Sequence, residues 1–290
     1  MTSNGSKPSY CLHDLAWPVV AEHLKTDDTI LIPFAGTEQH GDHLPLGTDS
    51  FQGYEITKRA AERSQTLYTP PLWFGYSPHH MRGPGEGTGT ITLRASTLND
   101  VLYDIGRSLI YHGFSRLIFV CGHASNVKVL DPVLRRLRYE TNAFIAMYKP
   151  WAERYLGMVE DLLTNPPEET PGWHASELET SQVMAYDESL VRRDAMKVVH
   201  AHAPEWLPAG FEKNDANPGL RFQGYEYFQV PMEHMEITPT GLIGNPLSAS
   251  VEKGNQTIDR FANYLADALK EFKTIPTNVT QRDWPERANW

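Results

Sequence analysis

Cysteine and long apolar runs are the two features that this chain most clearly lacks. Cys11 and Cys121 are its only cysteines among 290 residues, too few for a disulfide framework, so free thiols and a reducing compartment are expected. No stretch approaches the roughly 18 consecutive apolar residues of a membrane span, and the polar first residues lack the apolar core of a signal peptide. The sequence therefore predicts a soluble, cytoplasmic protein that does not bind membranes.

Basic residues are also in the minority. Lys and Arg total 26 against 36 Asp and Glu, which gives a formal net charge of -10. Nucleic-acid affinity comes largely from clustered Lys and Arg that displace counterions from phosphates, so no nucleic-acid partner is expected. The sequence instead predicts a small-molecule substrate.

Residues that bind metals are, by contrast, concentrated in one place. Glu38, His40 and Asp49 lie within twelve residues, directly after the apolar stretch 29–32. Glu38 and His40 leave the same face of an extended backbone, and Asp49 can complete the set from the following loop. Carboxylates with imidazole suit Zn²⁺, Mn²⁺ or Fe²⁺, whereas a structural zinc site would be rich in thiolates. These residues predict a catalytic site for a divalent metal.

Strand-like and helix-like segments alternate along the chain, which favours an α/β architecture with a mostly parallel central sheet. The predicted strands are 29–34, 66–70, 88–93, 116–121 and 143–148. The predicted helices are 49–63, 96–112, 126–139 and 248–273. Segments 163–172 and 202–235 are rich in Pro and show no period, so they are expected to form ordered loops or subunit contacts.

The length favours one catalytic domain, because α/β enzymes of this size often form a single core. We expect a flexible tail over residues 1–10, the domain over 11–275 and a short extension over 276–290. No internal repeat or low-complexity tract argues for a further division.

A histidine follows the predicted strand 116–121. His123 lies in the turn between that strand and the next helix. In open α/β sheets, ligands gather at the carboxyl ends of the strands, so His123 is expected close to Glu38 and His40. By itself, this fragment is equally compatible with a histidine that only bonds the backbone of its turn.

A third group of polar residues occurs later in the chain, at the start of a predicted helix. It comprises His174, Glu177 and Glu179. Carboxylates in the first turn of a helix also complement its dipole. The segment by itself therefore leaves open whether the two glutamates are structural or functional.

Taken in order, these blocks resemble the creatininase family of metal-dependent amidohydrolases. The matching blocks are Glu38-Gln-His-Gly41, His43-Leu-Pro-Leu46, Thr48-Asp49, Gly122-His123, His174-Ala175, Glu179-Thr-Ser181, Gly241-Leu-Ile-Gly-Asn-Pro246 and Ala249-Ser-Val-Glu-Lys-Gly254. They run from about residue 29 to residue 254 in the family's order, so the resemblance covers most of the chain.

The resemblance implies a three-layer α/β/α sandwich, usually assembled as a homohexamer, with one or two divalent ions (Zn, Mn or Fe). The positions that match metal ligands are Glu38, His40, Asp49 and His123. Asp49 corresponds to the residue that bridges two ions. His174 corresponds to a histidine proposed to pass a proton to the leaving nitrogen, and Glu179 to a glutamate that binds metal or orients its neighbours.

The chain departs from creatininase itself directly after the histidine of the turn. Creatininase has a tyrosine there that contacts substrate and a glutamate that binds the second ion, whereas this chain has Ala124 and Ser125. Creatinine is therefore not the expected substrate. A second ion would depend on an oxygen from Glu177 or Glu179.

The segment 77–90 is longer and richer in glycine than its counterpart in the family. His80 within this segment, together with Ser125 and Trp173, is an expected contact to substrate. Trp173 adjoins His174 and could form an apolar wall for a flat ring, although a packing role is an equal alternative. The identity of the substrate depends on these positions.

The expected function is hydrolysis of a non-peptide C-N bond, of the cyclic amide or formamide type, by water that a metal activates. A divalent ion lowers the pKa of bound water from about 15.7 towards 7. Glu179 or Glu177 would take the proton, and His174 would return it to the departing amine. The alternatives are a metal-dependent lactonase or isomerase of a small polar metabolite, and a metal-containing protein that binds a metabolite without converting it.

Overall fold

The computed structural model describes residues 9–81, 87–150, 157–164, 174–213 and 219–288. Most of the predicted N-terminal tail, residues 1–8, lies outside these ranges. Trp173, the expected apolar wall of the substrate pocket, lies outside them as well.

A parallel sheet of four strands forms the centre of the fold. Its strands are β1 (Thr29–Phe34), β2 (Leu67–Tyr68), β3 (Arg116–Cys121) and β4 (Phe144–Tyr148), in the order β2-β1-β3-β4. All six residues of β1 are buried, as expected for a strand covered on both faces. The predictions for β1, β3 and β4 are confirmed, and β2 is shorter than predicted.

Seven α-helices occur in the described part of the chain. They are α1 (Trp17–His23), α2 (Thr48–Ser64), α3 (Ala95–Tyr111), α4 (Val127–Thr141), α5 (Glu177–Asp187), α6 (His234–Ile237) and α7 (Val251–Phe272). The predicted helices correspond to α2, α3, α4 and α7.

Two hydrophobic cores lie on opposite faces of the parallel sheet. Ile30 and Ile32 of β1 pack with residues of α3 and α4, whereas Leu31 between them packs with residues of α2 and α7. Successive side chains of a strand point to opposite faces, so each face of the sheet is covered by its own pair of helices. The predicted three-layer α/β/α sandwich with a mostly parallel sheet is confirmed.

The prediction of a strand over 88–93 is wrong. Only single bridges form there, between Ile91 and Thr37 and between Thr92 and Gly75. Gly87 and Gly89 both have positive φ, and Ile91 is exposed. The apolar residues of this segment therefore follow a curved loop and do not enter the sheet.

The expectation of loops throughout 202–235 is also wrong in part. Three short strands, β5 (Phe211–Glu212), β6 (Gly219–Phe222) and β7 (Tyr225–Gln229), form an antiparallel sheet. Gln223 and Gly224 connect β6 to β7, and both have positive φ, as a tight two-residue hairpin turn requires. Aromatic side chains on this hairpin are exposed, which leaves an apolar surface beside the domain.

The chain continues beyond α7 along the face covered by α3. The Arg282 guanidinium donates to the carbonyl oxygens of Ile110 and Phe114, and Trp284 is buried in the core on that face. None of the described helices combines the length and apolar character that crossing a bilayer requires.

Candidate metal centre

The candidate site lies where two neighbouring strands of the parallel sheet end. Glu38 and His40 follow β1, and His123 follows β3. Phe34, the last residue of β1, pairs in register with Cys121, the last of β3. The two segments that carry ligands therefore leave the same edge of the sheet side by side.

Asp49, in the first turn of α2, lies between two imidazoles. Its Oδ1 is 3.1 Å from His40 Nε2, and its Oδ2 is 2.9 Å from His123 Nδ1. One carboxylate thus contacts both histidines, each through a different oxygen. This is the arrangement that a bridge between two cations requires.

Two groups of ligand atoms share this carboxylate. One comprises Glu38, Asp49 and His123, and the other comprises His40, Asp49 and Glu179, with the atoms of each group within 4.8 Å of one another. Mixed oxygen and nitrogen donors suit Zn²⁺, Mn²⁺ and Fe²⁺. The residues present therefore fit one or two divalent ions.

Buried carboxylate oxygens without hydrogen bonds support this fit. Glu38 Oε2 and Asp49 Oδ2 are inaccessible to solvent, and within the described part of the chain they have no hydrogen-bond partner of acceptable geometry. A buried charged oxygen without a partner is costly unless it coordinates a cation or pairs with one. Both atoms face histidine nitrogens, with Glu38 Oε2 at 3.3 Å from His123 Nε2.

The carboxylates and the imidazoles of the centre shift one another's pKa values. Burial disfavours ionised Glu38, but His123 and His80 offset this effect and hold its pKa well below the usual value. Burial likewise disfavours protonated His40, but Asp49 and Glu179 raise its pKa to about 10. Protons on the imidazoles thus balance the carboxylates, and a metal cation would displace them.

Glu179 is held differently from the other two carboxylates. Burial raises its pKa to about 7, although the neighbouring His40 opposes the rise. Its Oε2 accepts a hydrogen bond of 2.5 Å from the amide of Ala175 and lies 3.8 Å from His40 Nε2. Ala175 has a positive φ of 56°, so the backbone turns back over the carboxylate just before α5 begins.

Of the two glutamates that the sequence left open, only Glu179 joins the centre. Residues two positions apart on a helix project roughly 200° apart, so Glu177 faces the other side of α5. There it forms an ion pair with Lys253 and accepts a hydrogen bond of 3.1 Å from the amide of Thr164. Its buried carboxylate thus connects α5 to the start of α7.

His174 lies against His40, a candidate metal ligand. Its ring stacks on that of His40 with 4.1 Å between the centroids, and its Nε2 is 2.7 Å from the carbonyl oxygen of Gln39. Burial, and then the charge of His40, lower the pKa of His174 well below its usual value. The ring is therefore neutral, and because a carbonyl only accepts, Nε2 carries the proton and Nδ1 has a free lone pair.

His80 and Ser125, the expected substrate contacts, border the centre. His80 Nε2 is 3.3 Å from Glu38 Oε1, and Ser125 Oγ is 3.3 Å from His79 Nε2. Both side chains are buried.

Sequence reasoning missed His234, which belongs to this cluster. Its ring centroid is 4.5 Å from that of His174 and 4.6 Å from that of His80. His234 is the first residue of the short helix α6, whose start is stabilised by a reciprocal capping box between Glu233 and Glu236. The Glu-x-x-Glu spacing resembles a helix-start signal, but nothing in the sequence linked this helix to a site about 195 residues earlier.

The fold and the site together define an α/β protein with buried carboxylates and imidazoles arranged around a candidate two-metal centre. The chain belongs to the creatininase family, because residues 13–269 match the family described as "Creatininase: Creatinine amidohydrolase". The family membership predicted from the sequence is thereby confirmed.

Named relatives within the family differ in their substrates. The creatinine amidohydrolase of Pseudomonas putida is 30% identical over 270 residues, which cover 89% of this chain and 95% of that protein. The 3-dehydro-scyllo-inosose hydrolase of Thermotoga maritima is 25% identical over 87% of this chain and 80% of its own length. The mycofactocin precursor peptide peptidase of Mycolicibacterium smegmatis is 26% identical over 84% of this chain and 85% of its own.

Solved structures of creatininase share the fold. A manganese form superposes with a TM-score of 0.71 at 26% identity, covering 92% of this chain and all of that one. A mutant of Zn-Zn type superposes with a TM-score of 0.70 at 27% identity, covering 93% of this chain and all of that one.

Proposed function

We propose that this protein is a metal-dependent amidohydrolase that cleaves a non-peptide C-N bond, of the cyclic amide or formamide type, in a small molecule. The observation that carries the proposal is the carboxylate of Asp49, whose two oxygens face the two imidazoles of two separate ligand groups. The manganese and zinc forms of the related creatininases support the choice of metal.

The centre would hold one or two divalent ions, with zinc, manganese and iron as the candidates. Glu38, Asp49 and His123 would hold one ion, and His40, Asp49 and Glu179 the other. When bound, such ions polarise a substrate carbonyl and make water nucleophilic at neutral pH. Creatininase has a glutamate that binds the second ion at the position of Ser125. In this chain Glu179, on helix α5, would take over that role.

His174 is the proposed proton carrier. Its Nε2 is occupied by the carbonyl of Gln39, which leaves Nδ1 to take a proton from the attacking water and deliver it to the leaving nitrogen. Oxygen then bonds to the carbonyl carbon, the C-N bond breaks and the amine departs neutral. Glu179, beside His40, can assist by holding the water proton before it reaches His174.

The proposed substrate is not creatinine. Ala124 and Ser125 cannot supply the aromatic contact and the carboxylate that creatininase has at these positions. Ser125 instead pairs with His79, and His80 lies beside Glu38. We propose that Ser125 and His80 contact the substrate, together with Trp173.

The assembly and location of the protein complete the proposal. We propose a cytoplasmic homo-oligomer, a hexamer by family resemblance. The exposed aromatic residues Tyr225, Tyr227 and Phe228 of the hairpin support an additional protein contact on that face.

One relative favours a second candidate function. The Thermotoga maritima protein is named for an inosose substrate and not for an amide. A metal-dependent lactonase or isomerase acting on a small polar metabolite would use the same ligands. A metabolite-binding protein without turnover is the non-catalytic alternative.

A substrate panel with metal analysis tests these candidates. The purified protein is assayed for metal content and then for amine, ammonia or acid release from lactams, formamides and lactones. Amine or ammonia release that chelation abolishes and added metal restores is the expected result. Turnover of lactones alone would favour the second candidate, and tight metal without any turnover in the panel would contradict the amidohydrolase.

A further inference from the structure

Three buried histidines outside the two ligand groups contact Gln39, two through its side chain and one through its main chain. They are His80, His174 and His234, called the histidine triplet below. Each has a ring nitrogen within 4.8 Å of the others, a spacing that a metal ion could occupy. The hydrogen bonds that the three rings make determine which of their nitrogens carry protons.

The side-chain amide nitrogen of Gln39 lies between two of these rings. Nε2 of Gln39 is 2.8 Å from His80 Nδ1 and 3.3 Å from His234 Nδ1. Its orientation follows from the neighbouring backbone, because the amide of Gly41 donates to Gln39 Oε1 at 3.0 Å and can only donate. The oxygen of the side chain must face Gly41, and the NH₂ group must therefore face the imidazoles.

The NH₂ group in turn determines which ring nitrogens carry protons. A donor facing Nδ1 of His80 and of His234 requires a lone pair on each, so the proton of each neutral ring is on Nε2. His80 Nε2-H then points to Glu38 Oε1 at 3.3 Å. The main-chain carbonyl of Gln39 imposes the same tautomer on His174, at 2.7 Å from its Nε2.

The surroundings of Gln39 leave it little freedom. Its own amide donates to Thr90 Oγ1 at 3.0 Å, so each of its four polar groups has a partner. Gly241 adopts a positive φ of 81°, and a Cβ atom on it would lie 1.8 Å from Gln39 Oε1. Only glycine at 241 leaves room for this side chain.

We propose that Gln39 is a positioning residue that connects the three rings of the histidine triplet, two through its side-chain amide and one through its main-chain carbonyl, and thereby selects their tautomers. His80 is thereby directed to donate to the ligand carboxylate of Glu38, as partners of metal ligands commonly do. The effect on turnover rests on the proposed hydrolase function, whereas the tautomers do not.

The test measures the imidazole nitrogens directly. Protein labelled with ¹⁵N in histidine is studied by two-bond ¹H-¹⁵N correlation, which distinguishes Nδ1-H from Nε2-H. In the wild type, the triplet is expected in the Nε2-H form. In Gln39→Glu, the carboxylate keeps the bond from Gly41 but cannot donate, so His80 and His234 are expected to carry a proton on Nδ1.

His174 is the internal control, because its partner is a main-chain carbonyl that every variant at position 39 retains. In Gln39→Leu, His174 should keep its Nε2-H signal while His80 and His234 lose their single tautomer. Metal content should equal that of the wild type, and kcat should fall about 10- to 100-fold with a smaller change in KM. Gln52→Leu, a buried glutamine with an unpartnered Nε2 on α2, is the matched control and should retain the wild-type spectrum.

Unchanged signals from His80 and His234 in Gln39→Glu would overturn the proposal, whether or not Gln39→Leu folds. If the wild type shows the Nε2-H triplet and the variants change it, but no substrate is turned over, the proposed function fails and the positioning role stands.

Discussion

At the scale of single residues, the direction of a side chain decides which carboxylate can reach a cation. Glu177 is buried and Glu179 is partly buried in the same turn of α5, yet the first pairs with Lys253 and the second faces His40. Substitutions of the two residues, compared with each other, therefore test whether a second ion depends on Glu179.

Glu179→Gln is expected to lower the metal content by about one ion per chain. The amide oxygen is neutral and binds a divalent cation more weakly than a carboxylate. Elemental analysis after gel filtration measures the change. Glu177→Gln is the matched control, and it should lose stability through Lys253 but keep its metal; equal metal loss in both variants would contradict the assignment.

His174→Gln should separate metal binding from turnover. The ring is not in either group that shares Asp49, so metal content should remain that of the wild type. Loss of the proton carrier should lower kcat about 10²- to 10⁴-fold. His202→Gln, an exposed histidine, serves as the control, and loss of metal from His174→Gln would show that this ring is a ligand.

At the scale of elements, the centre depends on how α5 packs against α7. Gly254 lies in the first turns of α7, where a Cβ atom would be 1.8 Å from the carbonyl oxygen of Ser181 in α5. Ser181 Oγ also accepts from the amide of Ser250, the residue that caps α7. The close approach of these two helices therefore sets the position of Glu179, two residues earlier in α5.

Gly254→Ala should destabilise the protein by about 1–3 kcal/mol, because the helices must separate to admit the methyl group. Metal affinity should fall with it, since α5 carries Glu179. Denaturant unfolding and metal titration measure both effects. Gly157→Ala is the control, because no atom of the described residues lies within 4 Å of its added Cβ. An effect of Gly254→Ala no larger than this control would refute the packing argument.

The elements differ in how far sequence could predict them. Strands β1 and β3 are nearly continuous apolar runs, each followed closely by a glycine, so their limits were clear. Segment 88–93 alternates Thr with apolar residues, as a strand can, but the positive φ angles of Gly87 and Gly89 turn the chain away from the sheet. The hairpin β6–β7 was missed because its strands are short and mostly exposed, so burial leaves no alternating pattern.

At the scale of the whole molecule, an ion pair connects the start of strand β1 to the end of helix α7. Asp27, just before β1, lies 2.8 Å from Lys273, at the end of α7, and its Oδ1 accepts from the amide of Thr29. Burial opposes the ionisation of Asp27, but His23 and Lys273 more than offset it and lower its pKa below 3.8.

This pKa predicts how stability depends on pH. A carboxyl with a lowered pKa in the folded state stabilises the protein above the unfolded-state value of 3.8, and this contribution is lost as the pH falls through the folded-state pKa. Asp27→Asn should therefore cost about 1.5–3 kcal/mol at pH 7, as loss of a hydrogen bond to a charged group does. The difference from the wild type should shrink below pH 3.8.

Urea unfolding at several pH values measures this difference. Asp267→Asn is the matched control, because Asp267 pairs with Lys270 on an exposed surface and should change stability by less than about 1 kcal/mol. A cost for Asp27→Asn that stays constant from pH 7 to pH 3 would exclude the ion pair as its cause.

The sequence by itself determined the sheet edge, the family and the first segment of candidate metal ligands of this protein. Parallel strands place their carboxyl ends together, so polar residues directly after β1 and β3 had to meet, and Glu38, His40 and His123 could be named from the chain alone. The rotation of α5, which selects Glu179 over Glu177, was decided only by its packing against α7. The tertiary structure also brought His234 to Gln39, because no local pattern encodes a contact between residues that are far apart in sequence and meet only through the folding of the intervening chain.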